Sequence, residues 1–172
     1  MSDDLTKDAL ALSRAIQKEA STLWTPPSEG LDPHNEMVLL SSLTKGTRGY
    51  IEKIVNQING TYENGWYDAC SVMIRRLIET LIIETFEHYE IDSQIKNPGG
   101  EFFFLGDLVS RTLACTSWNL GRNTKKALPK LKDIGDKSAH SRRYTAHRGD
   151  IDKITADLRV VVQELVYLAS LK

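Results

Sequence analysis

The sequence predicts an all-α protein, a helical bundle of about five to seven helices with one long central helix. Apolar residues recur at steps of three and four through most of the chain, the spacing that lines one face of an α-helix. No stretch of convincing length alternates with the period of two that a strand requires. The length of 172 residues and the 41% hydrophobic content fit one domain with a substantial core.

Residues 1–45 are predicted to form an N-terminal helical arm followed by a loop. An early aspartate can cap a first helix that ends near Thr22, because apolar residues follow it at roughly helical spacing. Three prolines and a glycine then interrupt residues 24–35, which we interpret as a wrapping loop or a hinge. A short helical piece is expected over residues 35–43.

The bundle proper is predicted over residues 46–172 and opens with a helix over about 48–59. Gly60 is expected to end this helix, since glycine favours the position after a C-cap. Asn64 should cap the central helix, over about 65–89, which neighbours should cover on several sides because it is apolar around most of its circumference. Its two main apolar stripes contain Trp66, Cys70, Met73, Leu77 and Leu81, and Tyr67, Ile74, Ile78 and Ile82.

Three further helices complete the predicted bundle. A short amphipathic helix is expected over residues 105–115, and a longer one over 119–139. Pro129 should kink or restart the longer helix, because proline lacks the N–H that the helix needs. After a polar loop, Asp150 is expected to cap the last helix. The predicted inward-facing residues are Ala127, Leu128, Leu131 and Ile134, and then Ile151, Ile154, Leu158, Val161, Leu165 and Leu168.

Composition argues against several classes of protein. No window approaches the ~18 apolar residues of a membrane span, and the acidic N-terminus is unlike a secretory signal, so we expect a cytoplasmic protein without a membrane partner. Cys70 and Cys115 lack neighbours at zinc-ligand spacing and are interpreted as small buried side chains. Because glycine-rich phosphate loops and clusters of metal ligands are also missing, the sequence predicts no metal ion and no other cofactor.

Positive charge is concentrated in one segment, residues 122–148. The whole chain has a net charge of −1, yet this segment holds nine Lys and Arg residues against two acids. The rest of the chain is correspondingly acidic. Such a distribution focuses positive potential on one region, where anions collect.

The central helix carries a second polar feature, in a stripe that is otherwise apolar. Arg76 and Glu79 fall on this stripe and are spaced to pair with each other. Arg75 instead aligns with Asp68 and Ser71, on the face that we expect to be solvated. The Arg76–Glu79 pair is either structural or borders a functional cleft, because a desolvated pair is costly unless it serves register, a partner or a site.

His140 ends the predicted penultimate helix and can titrate near neutral pH. Gly135, before it, is a poor residue for a helix interior, and the small residues Ser138 and Ala139 allow another backbone to approach closely. In a structural interpretation His140 helps to satisfy the terminal carbonyls of its helix. In a functional one it is a general acid or base beside Lys137, with cations that hold an anion. The cations expected to bind an anion or nucleic acid are Arg75, Lys130, Arg142, Arg143 and Arg148. The nearby aromatic residues Tyr144 and Trp118 either stack on bases or belong to the core or its rim.

Three segments carry a family resemblance: NGWYDACSVMIRRLIETLI, LKDIGDKSAHS and DIDKITADLRVVVQELVYLA. Together they resemble the HEPN superfamily of helical nucleotide- and RNA-associated domains, and within it a large uncharacterised prokaryotic and phage branch. The likeness covers about residues 48–171. It implies a bundle of four or more helices, frequently dimeric, with a basic cleft at the dimer interface. Active members are metal-independent ribonucleases, common in toxin–antitoxin and antiviral systems.

The resemblance also implies a catalytic motif, an arginine and a following histidine with four to six residues between them. The histidine would help the ribose 2′-hydroxyl to attack the neighbouring phosphate, while the arginine stabilises the developing charge. If His140 is the family histidine, its arginine is missing, because the expected positions hold Asp133, Ile134 and Gly135. Lys137 or Arg76 could replace the lost charge. Lysine, however, lacks the planar fork with which arginine binds phosphate.

An alternative pair satisfies the same spacing by count. Arg142 and His147 have four residues between them, but they fall in a loop after the expected place. Whether the chain is an enzyme therefore stays open at this point.

Three functions follow as hypotheses. The first is an RNA- or nucleotide-associated domain with a degenerate ribonuclease motif. The second is a non-catalytic interaction module, either a homodimer or a domain that docks a protein partner. The wide apolar face of the last helix favours it, although these residues can equally pack inside the monomer. That face contains Val160, Val162, Val166 and Tyr167. The third is an active metal-independent endoribonuclease.

Overall fold

A computed structural model describes the backbone of residues 2–23, 33 and 35–172, and the side chains of residues 6–18, 33 and 35–172. Within this part of the chain the fold is all-α, as predicted, with six α-helices and no strand. The chain forms two compact units, residues 1–32 and 33–172. None of the described helices combines the length and the hydropathy needed to cross a membrane.

The first unit contains helix α1, Ser2–Leu23, which confirms the predicted first helix. The side chains described in it, those of residues 6–18, are all exposed, and they include Leu10, Leu12 and Ile16. The proline-rich loop predicted over residues 24–35 lies outside the described residues except at positions 33 and 35.

The second unit is a bundle built around one helix. Its helices are α2 (Gly49–Glu63), α3 (Tyr67–His88), α4 (Leu105–Ala114), α5 (Arg122–His140) and α6 (Arg148–Leu168), with two 3-10 turns, Ser41–Leu43 and Asp92–Ile95. Helix α3 packs against all four of the others, which confirms the prediction of a covered central helix. The predicted inward-facing residues of α5 and α6 are buried, apart from the half-buried Leu168.

The core of the bundle follows the apolar stripes of α3. The fully buried members of these stripes include Leu77, Ile78 and Leu81, whereas Tyr67 and Met73 are half-buried. Phe86 meets Trp118 edge to face, with 4.9 Å between the ring centroids. Trp118 is therefore a core residue and not a stacking platform. Burial raises the pKa of the Cys70 thiol to about 12, which confirms the interpretation of this cysteine as a small buried side chain.

The segment before α2 is held by side chains and is not the predicted helix over 35–43. Only its last three residues form a 3-10 turn. The Oδ1 atom of Asn59 accepts hydrogen bonds from the N–H groups of Val38 (3.2 Å) and Leu39 (3.0 Å), and its Nδ2 donates to the Leu39 carbonyl (2.8 Å). Arg159 of α6 donates to the carbonyls of Met37 and Val38. Residues 33–45, assigned to the arm from the sequence, thus belong to the same compact unit as the bundle.

The junction between α2 and α3 also differs from the prediction. Helix α2 continues through Gly60, and the residue with positive φ is Gly65, at +76°. Asn64 ends α2, where its Nδ2 donates to the Gly60 carbonyl (2.8 Å), and it does not cap α3. Trp66 precedes the first residue of α3 and is 63% exposed, so it does not belong to the buried stripe in which it was predicted.

Helix α5 runs without a break through Pro129, which is exposed, so this proline does not restart the helix. Its N-terminus is capped by a residue of α6. The carboxylate of Glu164 accepts hydrogen bonds from the Gly121 N–H and from the Thr124 hydroxyl. A carboxylate at this place is favourable, because the first N–H groups of a helix lack partners and carry partial positive charge.

Asp150 lies three residues inside the start of α6 and is not its capping residue. His147 occupies the N-cap position, and its backbone N–H donates to the Asp150 carboxylate (3.0 Å). This hydrogen bond is the largest influence that lowers the pKa of Asp150 below its usual value. The aspartate therefore still stabilises the start of the helix, but it does so from the third helical position by accepting a hydrogen bond from the N-cap residue.

Candidate functional site

Most of the cations in the basic segment have no carboxylate partner. Three of the nine form ion pairs: Lys130 with Asp157 (3.3 Å), Lys132 with Asp136 (2.8 Å), and Arg148 with Asp152 (3.7 Å). The remaining six are exposed and pair with no described carboxylate: Arg122, Lys125, Lys126, Lys137, Arg142 and Arg143. These six side chains retain their charge for an external anion.

Three of these cations lie within three positions of a histidine, at the end of α5 and in the loop after it. We call the surface formed by Lys137, His140, Arg142 and Arg143 the basic corner. All four side chains are exposed, and they fall within seven consecutive positions. The C-terminus of a helix carries partial negative charge, so cations are tolerated there without carboxylate partners.

The loop that carries the basic corner is anchored by two aspartates. The Ala146 N–H donates to Oδ1 of Asp68 in the first turn of α3 (2.9 Å). The Tyr144 hydroxyl donates to Asp150 (3.2 Å), and this tyrosine is half-buried. The carboxylates thus bind the backbone and the tyrosine of the loop, while Arg142 and Arg143 stay exposed.

The central helix forms an ion-pair network through Arg75 and not through Arg76, which corrects the predicted Arg76–Glu79 pair. Nη1 of Arg75 lies 3.2 Å from Glu79, and its Nε lies 2.9 Å from Asp136 of α5. Asp136 also pairs with Lys132. Burial raises the pKa of Asp136, but the hydrogen bonds from Lys132 and Arg75 outweigh burial and leave that pKa below its usual value.

Gly135 explains why Arg75 is the residue that reaches α5. A methyl group built on Gly135 would lie 2.5 Å from Cβ of Arg75, closer than carbon atoms approach, so the helices touch where α5 has no side chain. The sequence predicts a close approach at Ser138 and Ala139, whereas this contact lies at Gly135 and involves the Arg75 side chain. Arg75 therefore does not belong to the expected anion-binding residues, because its guanidinium is already paired with the carboxylates of Glu79 and Asp136.

Two other predicted cations are also engaged within the protein. Nε of Arg148 donates to the Tyr62 hydroxyl (3.0 Å), and its guanidinium lies 5.6 Å from the centroid of that ring. Lys130 is more exposed, although it lies near Asp157. Arg76 is exposed and has no carboxylate within ion-pair distance among the described residues.

The two histidines with proposed catalytic roles are both exposed. His140 ends α5 and His147 precedes α6. His147 lies close enough to the Asp150 carboxylate to interact with it electrostatically. Among the described residues, no carboxylate or arginine contacts His140 to orient its imidazole. The described residues hold no group of three or more His, Cys, Asp or Glu side chains able to bind a metal ion.

A separate cleft, missed from the sequence, lies at the other end of α3. It has a volume of about 410 Å³, and the residues that line it include Arg48, Glu84, Glu87 and His88. Burial raises the pKa of Glu84, while the nearby Arg48 (3.1 Å) lowers it. The Tyr50 hydroxyl also donates to Glu84. Because Arg48 and Glu84 satisfy each other, this cleft offers less unpaired charge than the basic corner.

No family model, no curated protein and no solved structure matches this chain.

Proposed function

We propose that this protein is a HEPN-like domain that binds RNA through the basic corner, without cleaving it. The observation that carries the proposal is the set of three exposed cations, Lys137, Arg142 and Arg143, which pair with no carboxylate among the described residues and lie within three positions of His140 in the chain. The acidic charge on the rest of the chain directs a polyanion to this segment, since like charges repel it elsewhere.

The surroundings of the two histidines favour binding of RNA over its cleavage. Catalysis in the HEPN manner requires an arginine placed beside the histidine so that both act on one phosphate. Lys137 supplies charge near His140 but no planar fork, and Arg76 stands on another helix. Glu79, which was predicted to form with Arg76 a pair that is structural or borders a functional cleft, is instead paired with Arg75. Arg142 and His147 keep the family spacing and remain the alternative catalytic pair.

A charge-neutralising variant tests the proposal. Replacing Lys137, Arg142 and Arg143 by glutamine is expected to weaken binding to single-stranded RNA regardless of its base sequence. The slope of log affinity against log salt should fall by roughly 2, because each lost phosphate contact removes about 0.7 for a single strand. Fluorescence anisotropy of a labelled oligonucleotide at several salt concentrations gives both quantities.

A matched triple variant provides the control. Arg122, Lys125 and Lys126 are equally exposed but lie at the opposite end of α5, roughly 20 Å away at 1.5 Å per residue. Their replacement by glutamine changes the net charge by the same amount and should leave most of the salt dependence intact. An equal loss in both variants would mean that binding follows the general charge and not the basic corner.

The same samples, incubated in EDTA, report on cleavage. Intact RNA is the expected result. Fragments that disappear in His147→Ala would instead support a metal-independent endoribonuclease that uses Arg142 and His147. Fragments that disappear in His140→Ala would place catalysis at the end of α5.

A homodimeric interaction module is the second candidate, and one surface of α6 favours it. Val162 and Val166 pack inside the bundle, which removes half of the expected apolar face, but Val160 and Tyr167 are 41% and 78% exposed. With the exposed Gln163 they form one stripe at helical spacing. Such a stripe suits the same stripe of a second copy across a two-fold axis.

Sedimentation equilibrium tests this second candidate. The unaltered protein is expected to sediment as a dimer and Tyr167→Glu as a monomer, because a buried unpaired charge is costly at an interface. Phe104→Glu, which alters an exposed aromatic residue directly before α4, should leave the mass unchanged. A monomeric unaltered protein would remove this candidate.

A further inference from the structure

An exposed tryptophan lies beside the loop that carries the basic corner. Trp66 is 63% exposed, although tryptophan is among the side chains that gain most from burial. Its backbone is fixed on both sides, because its N–H donates to the Thr61 carbonyl (2.8 Å) and its carbonyl accepts from the Cys70 N–H (2.9 Å). An indole is thus presented to solvent on a rigid support.

The position of Trp66 next to the basic loop follows from one hydrogen bond. Asp68, two residues further along the chain, binds the Ala146 N–H of that loop. His147 and Arg148 come directly after Ala146, and Arg148 lies over Tyr62 at the same junction. The first turns of α3 therefore bring an exposed aromatic ring into the neighbourhood of the basic loop.

An exposed cation that pairs with no carboxylate in the described part of the chain follows on the same side of α3. Ala69, Val72 and Arg76 come after Trp66 at steps of three and four, and all of these side chains are exposed. A helix rises 1.5 Å per residue, so Arg76 stands roughly 15 Å from Trp66 along the helix. An exposed aromatic ring that shares a helix face with an exposed cation suits a ligand with both flat bases and phosphates better than it suits a purely apolar partner.

We propose that Trp66 stacks on an unpaired base of bound RNA, which makes this protein selective for single-stranded over double-stranded nucleic acid. This inference rests on the proposed function and adds the class of ligand to it. In a duplex the faces of the bases are covered by their neighbours, and the indole has nothing to stack on. In a single strand every base has a free face, so the contact tolerates any sequence.

Binding of a 12-nucleotide uridine oligomer and of a 12-base-pair RNA duplex to Trp66→Ala tests this inference. We expect single-strand affinity to fall by roughly 5- to 150-fold, the range measured for loss of one base–aromatic stack. Duplex affinity should stay within about twofold, and the salt slope should not change, because no cation has been removed. Trp66→Phe keeps an aromatic face and should recover most of the loss.

Phe104→Ala is the matched control, since Phe104 is also an exposed aromatic residue directly before a helix, in this case α4. It should bind like the unaltered protein. An equal loss of single-strand and duplex affinity in Trp66→Ala would overturn base stacking. Unchanged single-strand affinity in Trp66→Ala, with weaker binding in the triple variant of the basic corner, would refute the role of Trp66 and leave the proposed function standing. An unaltered protein that binds no RNA would remove both.

Discussion

Replacement of Asn59 by alanine is expected to lower the free energy of unfolding by about 3 kcal/mol or more. Asn59 is 2% exposed and satisfies three backbone groups of Val38 and Leu39. Each buried group left without a partner costs about 1–3 kcal/mol, and alanine can replace none of the three hydrogen bonds. Urea denaturation, with the midpoint and the slope fitted together, measures the change.

Gln57→Ala is the matched control for this substitution. Gln57 is a polar residue of the same helix, but it is exposed. Its replacement should change the free energy of unfolding by less than about 0.5 kcal/mol. A loss below about 1 kcal/mol in Asn59→Ala would mean that water reaches Val38 and Leu39 and replaces the amide.

Two substitutions of glycine by alanine are expected to change the stability of the bundle in opposite directions. Gly135→Ala should destabilise the bundle by about 1–3 kcal/mol, because the new methyl group would lie 2.5 Å from Cβ of Arg75 and force α3 and α5 apart. Gly60→Ala should stabilise it by about 0.5–1 kcal/mol. Gly60 lies within α2 with no atom near the position of a new methyl group, so the higher helix propensity of alanine is gained without a clash.

Thermal unfolding of both variants gives the comparison directly. The two substitutions are chemically identical, and any general effect of alanine in a helix cancels between them. If Gly135→Ala were as stable as Gly60→Ala, the close contact between α3 and α5 would be refuted. The placement of Arg75 between Glu79 and Asp136 would then need revision as well, because it depends on that contact.

The helices could be predicted because their apolar periodicity directly reflects which face is buried. The period identified α3 as central and assigned the inward-facing residues of α5 and α6. The ends of the helices were harder to predict from the sequence. Gly60 and Gly65 are both plausible end signals, and only the turn into α3 decides that the positive φ falls on Gly65.

The ion pairs of the site could not be predicted, since they depend on the neighbouring helix. Arg75 and Arg76 are adjacent and differ by about 100° around α3. The approach of α5 at Gly135 selects Arg75, and nothing within α3 reveals that approach. The count of cations in residues 122–148 was available from the sequence, but which six lack carboxylate partners depends on Asp136, Asp152 and Asp157 in the folded protein.

Trp66 is a case in which apolar periodicity predicts burial wrongly. It has the spacing of a core residue, yet it stands before the first turn of α3, where the chain has only just turned at Gly65. A residue at a helix end can keep the spacing of a buried stripe and still lie beyond the elements that cover the rest of that stripe.

The capping of α5 by Glu164 has a consequence for how the chain folds during synthesis. Gly121 leaves the ribosome 43 residues before the carboxylate that completes its helix. At about 5–20 residues per second, this delay is roughly 2–9 s. During that interval the first turn of α5 exists without its cap, and the helix that carries the basic corner becomes complete only when the C-terminal half of α6 has docked.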